Sequence, residues 1–225
     1  MPESQDLELA SPNAIYERGL DELLSSADPS VYYAVDEDGR RRRLPLDRWI
    51  SDAPADEELL LDRAVGPVLD IGCGAGRHLA ALAKRGIDAT GVEVSRLAVE
   101  IARRRNVDVI HGSVLDLPTD SRWMTALLLD GNVGIRGEPG KLLDRVSGLL
   151  DPAGRALVEV EAPGTETRVL NLHLEGPDHV SEWFAWAWVG ADGVREIARM
   201  AGLVEVEQWS IGERWFSELR LPPDE

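Results

Sequence analysis

Between Val68 and Leu79 the chain reads Val-Leu-Asp-Ile-Gly-Cys-Gly-Ala-Gly-Arg-His-Leu: an apolar run, a glycine-rich turn, and the opening of a helical pattern. Glycines at such a turn permit positive φ angles and close approach of the backbone to a ligand, and a helix start offers unpaired N–H groups. The spacing is G-x-G-x-G with Asp70 two residues ahead, not the G-x-G-x-x-G of dinucleotide-binding folds. A carboxylate there repels a pyrophosphate and suits a cationic ligand end. Glu93 stands near the end of the next apolar run, where it can accept from both hydroxyls of a ribose. Asp116 follows the third run, within Ser113–Pro118, where it can accept from an adenine amino group. Three acids at successive strand ends describe a site for a nucleoside joined to an ammonium group.

The elements that must carry these residues follow from hydrophobic periodicity. Strands are predicted at Val68–Ile71, Ala89–Val94, Val107–Ile110, Thr125–Leu129 and Arg155–Val160. Helices are predicted at His78–Lys84, Arg96–Arg105 and Gly140–Leu150, the last closed by Asp151-Pro152-Ala153-Gly154. Unbroken apolar strands alternating with helices indicate a parallel sheet covered on both faces. Thr165–Leu174, Trp183–Val189, Val204–Trp209 and Trp215–Leu221 read as further strands, with a helix at Asp192–Ala201, and the close spacing of the late strands implies antiparallel pairing. Ahead of the glycine turn, helices are predicted at Asn13–Leu24 and Asp56–Ala64 and a strand at Val31–Val35. Arg40–Arg43, after Asp36-Glu37-Asp38, read as a solvated, self-paired turn, and the acidic residues 1–12 as a frayed end. The organisation expected is an N-terminal helical and irregular cap over residues 1–64 and an α/β domain over 65–225.

The ordered set Asp70, Gly72, Gly74 and Gly76, then Glu93, then Asp116, resembles the class I S-adenosylmethionine-dependent methyltransferases, from about residue 66 onward. The resemblance implies a Rossmann-like, doubly wound, seven-stranded sheet of order 3-2-1-4-5-7-6, with the last two strands as an antiparallel hairpin. It implies S-adenosyl-L-methionine as cofactor and S-adenosyl-L-homocysteine as product. Asp70, Ile71, Gly72, Cys73, Gly74 and Gly76 would wrap the methionine part, Glu93 with Val94 the ribose, Leu115 with Asp116 the adenine, and Asp130 would also contact the cofactor. The reaction implied is methyl transfer to O, N or C of a small molecule. Binding of the cofactor without transfer (a cyclase or regulatory module) and a protein methyltransferase remain alternatives; a nicotinamide oxidoreductase is disfavoured by the glycine spacing and by Asp70.

Asp130-Gly131-Asn132 ends the strand at the edge where acceptor and methyl group would meet, so Asn132 is a candidate for contact with the reactants, although its residue type also suits a plain turn. An oxygen nucleophile needs a base. Of the four histidines, His78 starts a helix near the turn, His111 follows the third strand, and His173 and His179 lie beyond the fifth; His173 is the preferred base, with Glu161 and Glu159 at the end of the fifth strand as competitors. Five of the seven tryptophans lie after residue 180, and Trp186 and Trp188 share one face of a strand, where they can stack on a planar or sugar acceptor or simply fill a core. Tyr16, Tyr32, Tyr33 and Trp49 give the N-terminal segment the aromatics of a lid. Cys73 reads as a packing residue.

Composition narrows the partners. With 24 Lys+Arg against 41 Asp+Glu the net charge is −17, which disfavours nucleic acids and anionic lipid, as does the lack of an Asn/Asp-Pro-Pro-Tyr/Phe motif. No metal-ligand spacing is evident. A single cysteine, a first stretch without a basic or apolar leader pattern, and no apolar run of about 20 residues lead to the expectation of a cytoplasmic monomer or homodimer.

Overall fold

A computed structural model describes residues 8–118 and 122–223; the first part of the expected frayed end lies outside these residues. In chain order the elements are β1 (Glu8–Ala10), α1 (Pro12–Ser25), β2 (Tyr33–Asp36), β3 (Arg41–Arg43), α2 (Leu46–Ile50), α3 (Ala55–Leu61), β4 (Val68–Ile71), α4 (Arg77–Lys84), β5 (Ala89–Glu93), α5 (Arg96–Arg104) and β6 (Asp108–His111). There follow β7 (Trp123–Leu128), α6 (Pro139–Ser147), β8 (Leu150–Val160), β9 (Arg168–Glu175), β10 (His179–Ser181), β11 (Phe184–Trp188), α7 (Val194–Met200), β12 (Val204–Ile211) and β13 (Arg214–Arg220), with short 3₁₀ segments at Val114–Asp116 and Asn132–Gly137.

Seven strands form the main sheet in the order β6-β5-β4-β7-β8-β13-β12. Counted within this sheet the order is the expected 3-2-1-4-5-7-6, with parallel pairing from β6 to β8 and an antiparallel β12–β13 hairpin at the edge. The unbroken apolar strands have the predicted cause, because successive side chains enter different cores. Leu127 packs with Leu60, Leu61, Leu82 and Phe216 on one face, while Ala126 and Leu128 pack with Leu142, Leu143, Val146 and Val194 on the other. Burying each leucine is worth about 1.5–3 kcal/mol, so the two layers hold the strand ends in fixed register.

A second sheet, of order β1-β10-β9-β2-β3 with β11 also paired to β9, is what local patterning does not reveal. Three of its strands precede the main sheet in sequence and three are inserted between β8 and β12. Arg41–Arg43 is a strand, not the expected turn, because Tyr33–Val35 is an apolar template that pairs with it residue by residue. The turn itself is held by Asp36, whose Oδ1 accepts from the amides of Asp38 and Arg40. Likewise Asp151–Gly154 does not close a helix: α6 stops at Ser147, and the segment enters β8, where an irregularity opposite Trp123/Thr125 absorbs it. No described helix is long and apolar enough to cross a membrane.

Candidate active site

The glycine turn leaves β4 and enters α4. Gly72 and Gly76 are left-handed, at φ 69° and 75°. A β-carbon on Gly76 would stand 2.9 Å from that of Ala102, so the absence of a side chain lets α5 close against the turn. Glu93, buried at the end of β5, accepts from the Gly74 amide (3.0 Å) and the Ser95 amide (2.8 Å), bridging turn and helix. Burial chiefly raises its carboxyl above the usual range, and the charge on Asp70 adds to this. Each oxygen spends one lone pair on an amide and retains another for a hydroxyl.

Asp70 is also buried, and its Oδ2 has no hydrogen-bond partner, with His78 Nδ1 3.6 Å away. An orphaned carboxylate oxygen behind a glycine turn suits a cationic donor, which fits the ammonium end of the expected cofactor. Ile71 is buried, and Cys73 packs its sulfur where any β-carbon on Gly91 would fall. Burial, with Asp70 next, pushes the Cys73 thiol far up, in keeping with a packing role. Val94 and Leu115 are exposed beyond the strand ends, as is Asp116 on its 3₁₀ turn, and no described contact ties the Asp116 carboxylate to Asp70 or Glu93.

The next strand end holds a cluster of charges. Asp130 receives Arg77 on both oxygens (2.9 and 2.7 Å), while its amide donates to Glu159 (2.6 Å). Arg214 from β13 meets both oxygens of Glu159 (2.8 and 2.6 Å) and one of Glu57 (2.9 Å). Glu57 on α3 is wholly buried and also accepts from Arg48, Arg77 and His78. Four acids (Glu57, Asp70, Asp130, Glu159) thus face four bases (Arg48, Arg77, His78, Arg214). Burial opposes charge on Glu57, but its bonds to His78 and Arg77 outweigh it and hold the carboxyl far below the usual range. Sequence reasoning missed Glu57, Arg77 and Arg214. The one local signal was an arginine and a histidine directly after the last glycine.

Asn132, expected among the reactants, donates its amide to Ile71 O (2.8 Å) and Gly72 O (3.1 Å), tying the exit of β7 to the glycine turn. Glu161, just past β8, is held by Arg42 (2.8 and 3.4 Å). His173 is placed elsewhere: its contacts are Glu175 Oε1 at 3.0 Å and the edge of Trp183, and none joins it to the turn. His179 meets Arg18, and His111 meets the Val94 carbonyl at 3.1 Å.

The N-terminal segment covers the turn. Tyr16 on α1 brings its hydroxyl within 3.4 Å of where a β-carbon on Gly74 would stand, and burial, then Glu93, pushes its phenol well up. Glu17 accepts from Ser95 Oγ (2.8 Å) and the Leu97 amide (3.2 Å), fastening α1 to the start of α5.

Residues 68–154 match a family model described as a methyltransferase domain. The chain is 34% identical over 108 residues to a demethylmenaquinone methyltransferase of Clavibacter sepedonicus, covering 43% of either chain. It is 32% identical over 132 residues to a dTDP-3-amino-3,6-dideoxy-alpha-D-glucopyranose N,N-dimethyltransferase of Streptomyces fradiae, covering 48% of this chain and 52% of that one. The chain therefore spans about half the length of these curated relatives. A solved S-adenosylmethionine-dependent methyltransferase from Bacteroides fragilis, in complex with S-adenosyl-L-homocysteine, superposes with a TM-score of 0.79 at 19% identity over 97% of this chain and 99% of that one. Residues 68–154 thus resemble a methyltransferase domain in sequence, and nearly the whole chain shares the fold of a solved S-adenosylmethionine-dependent methyltransferase.

Proposed function

We propose that the protein transfers the methyl group of S-adenosylmethionine to O, N or C of a small molecule. The observation that carries the reading is the buried, unpartnered Asp70 Oδ2 at the end of β4, with Glu93 one strand away bound to the turn by its amide contacts. Asp70 and the turn take the methionine end, and Glu93 takes the ribose hydroxyls. Bound S-adenosylmethionine would supply a sulfonium methyl, which the acceptor takes in line as S-adenosylhomocysteine leaves. Because positive charge disperses in that displacement, the protein's main contribution is alignment. Asn132 supports it by fixing the turn, and Tyr16, kept neutral by burial, presents a hydroxyl donor from above. The acceptor enters from the edge formed by Asp130, Glu161 and the aromatic face of β11. The quinone and amino-sugar methyltransferases among its relatives support a small acceptor.

Thermal unfolding with S-adenosylmethionine, S-adenosylhomocysteine or NAD(H) tests this. Either sulfur compound at a hundred times its Kd should add about 2.7 kcal/mol, and Glu93→Ala should abolish the gain. Stabilisation by NAD(H) alone overturns the assignment, and binding without turnover of any acceptor favours the reading as a regulatory module.

A further inference from the structure

We propose that the acceptor carries an anionic group, a carboxylate or a phosphate, received beside Trp188 by Arg168 with Arg42 at its flank. The proposal rests on the methyltransferase reading for what the anion belongs to, but the subsite stands on its own geometry. In the antiparallel register of β9 and β11, Leu172 faces Phe184, Leu170 faces Trp186 and Arg168 faces Trp188. Residues directly paired in this way share a face of the sheet. Three aromatic rings therefore form a row along one face, with Arg168 at its end. Ala34 of β2 pairs with Leu174, and Arg42 of β3 pairs with Ala34, which puts Arg42 on the same face.

That face meets the carboxyl edge of the main sheet at two points. Arg42 reaches Glu161 at the end of β8, and the Trp186 indole nitrogen lies 2.7 Å from where a β-carbon on Gly134 would stand, two residues after Asn132.

Charge distinguishes Arg168 from the arginines nearest it. The neighbouring arginines of the basic run each have an acid: Arg40 has Asp38, Arg41 has Glu175, Arg42 has Glu161 and Arg43 has Asp47. Part-buried Arg168 has no carboxylate among the described residues, and its guanidinium lies 5.0 Å from the centre of the Trp188 ring, with that of Arg42 at 5.4 Å. Two cations thus share one indole and one acid, Glu161. Asp36 lies on the same face but spends Oδ1 on its own turn and has Arg40 at 3.6 Å from Oδ2. One positive charge is left over at this place, in a chain whose net charge is −17. Contact with an indole face attracts a guanidinium without neutralising it, and the planar fork of arginine matches two oxygens of a carboxylate or phosphate. Trp186 and Trp188, next to this charge, offer a surface for the planar or apolar body of the acceptor, while Phe184 packs against Leu174 and the N-terminal core.

The test titrates benzoate, phenyl phosphate and benzyl alcohol into the protein saturated with S-adenosylhomocysteine, read by calorimetry and tryptophan fluorescence. The anions should bind at least tenfold tighter than the alcohol, and their ranking separates carboxylate from phosphate. Arg168→Gln should weaken the anions about tenfold, the size expected of one charge-assisted contact. Glu161→Gln should strengthen them several-fold, because Arg42 is then released; a merely structural effect would not move the two variants in opposite directions. Equal binding of benzyl alcohol, no saturable anion binding at millimolar concentration, or an unchanged anion affinity in Arg168→Gln overturns the proposal. Failure of S-adenosylhomocysteine itself to bind counts against the methyltransferase reading, and the same titrations without it still decide the subsite.

Discussion

At Gly72 the backbone is left-handed, and a β-carbon would stand 2.6 Å from the Asn132 amide nitrogen that holds the turn. Gly72→Ala therefore combines a left-handed alanine, about 1–2 kcal/mol, with displacement of Asn132. We expect a lowered Tm and a loss of S-adenosylhomocysteine affinity, both read in one calorimetric series; unchanged affinity would separate Asn132 from the binding turn. His78 gives a pH signature. Burial opposes its charge, but the Asp70 carboxylate 3.6 Å from Nδ1 and the hydrogen bond to Glu57 outweigh that and raise its pKa from 6.5 to about 9. A folded value above the unfolded one means its contribution is complete below the unfolded pKa and disappears as pH rises through the folded one. Stability to urea should therefore decline between about pH 6.5 and about pH 9, and His78→Gln should flatten that decline. A slope unchanged in the variant would assign it to another group.

At the scale of elements, α3 and α4 are locked by charge as well as by leucines. Glu57 sits on α3 with no exposure, and the cations that fill it come from α2, α4 and β13. Breaking a buried ion pair from one side costs about 3–5 kcal/mol, because the partners stay buried without their counter-charge. Glu57→Gln should lose stability of that order in chemical denaturation. A loss under 1 kcal/mol would mean that Asp130 and Glu159 suffice for the arginines. This cluster also marks where the sequence stops being legible. Asp70, Glu93 and the glycines announce themselves because their roles depend on a strand, a turn and a helix that follow one another. Glu57, Arg77 and Arg214 meet from positions 57, 77 and 214, and no local pattern links them. The same holds for β3, whose three arginines look like a turn until Tyr33–Val35 is seen to pair with them. His173 shows the converse: a residue type suited to a base, on a segment that borders the site, finds its partner in Glu175 two residues away.

Across the whole molecule, the two sheets depend on each other through the N-terminal segment. β2 pairs with Leu172–Glu175 of β9, β1 pairs with β10, and Arg42 joins Glu161, while Glu57 fills the cationic cluster beneath the glycine turn. Residues 65–225 contain every strand of the main sheet, and on patterning alone they would make a complete domain. Alone, however, they would leave the edge of β9 unpaired, an open template for association, and would strand Arg77, His78 and Arg214 without Glu57. Three cations short of one acid, at about 3–5 kcal/mol for the broken ion pair, together with a sheet short of three strands, make a deficit comparable to the roughly 5–15 kcal/mol by which a domain is stable. We therefore expect the full chain to unfold in a single transition by calorimetry and circular dichroism, and a fragment of residues 65–225 to aggregate or to show no cooperative transition. A soluble fragment that melts cooperatively near the Tm of the full chain would instead establish the N-terminal segment as a separable cover, and would shift the origin of stability to the two leucine-rich layers of the main sheet.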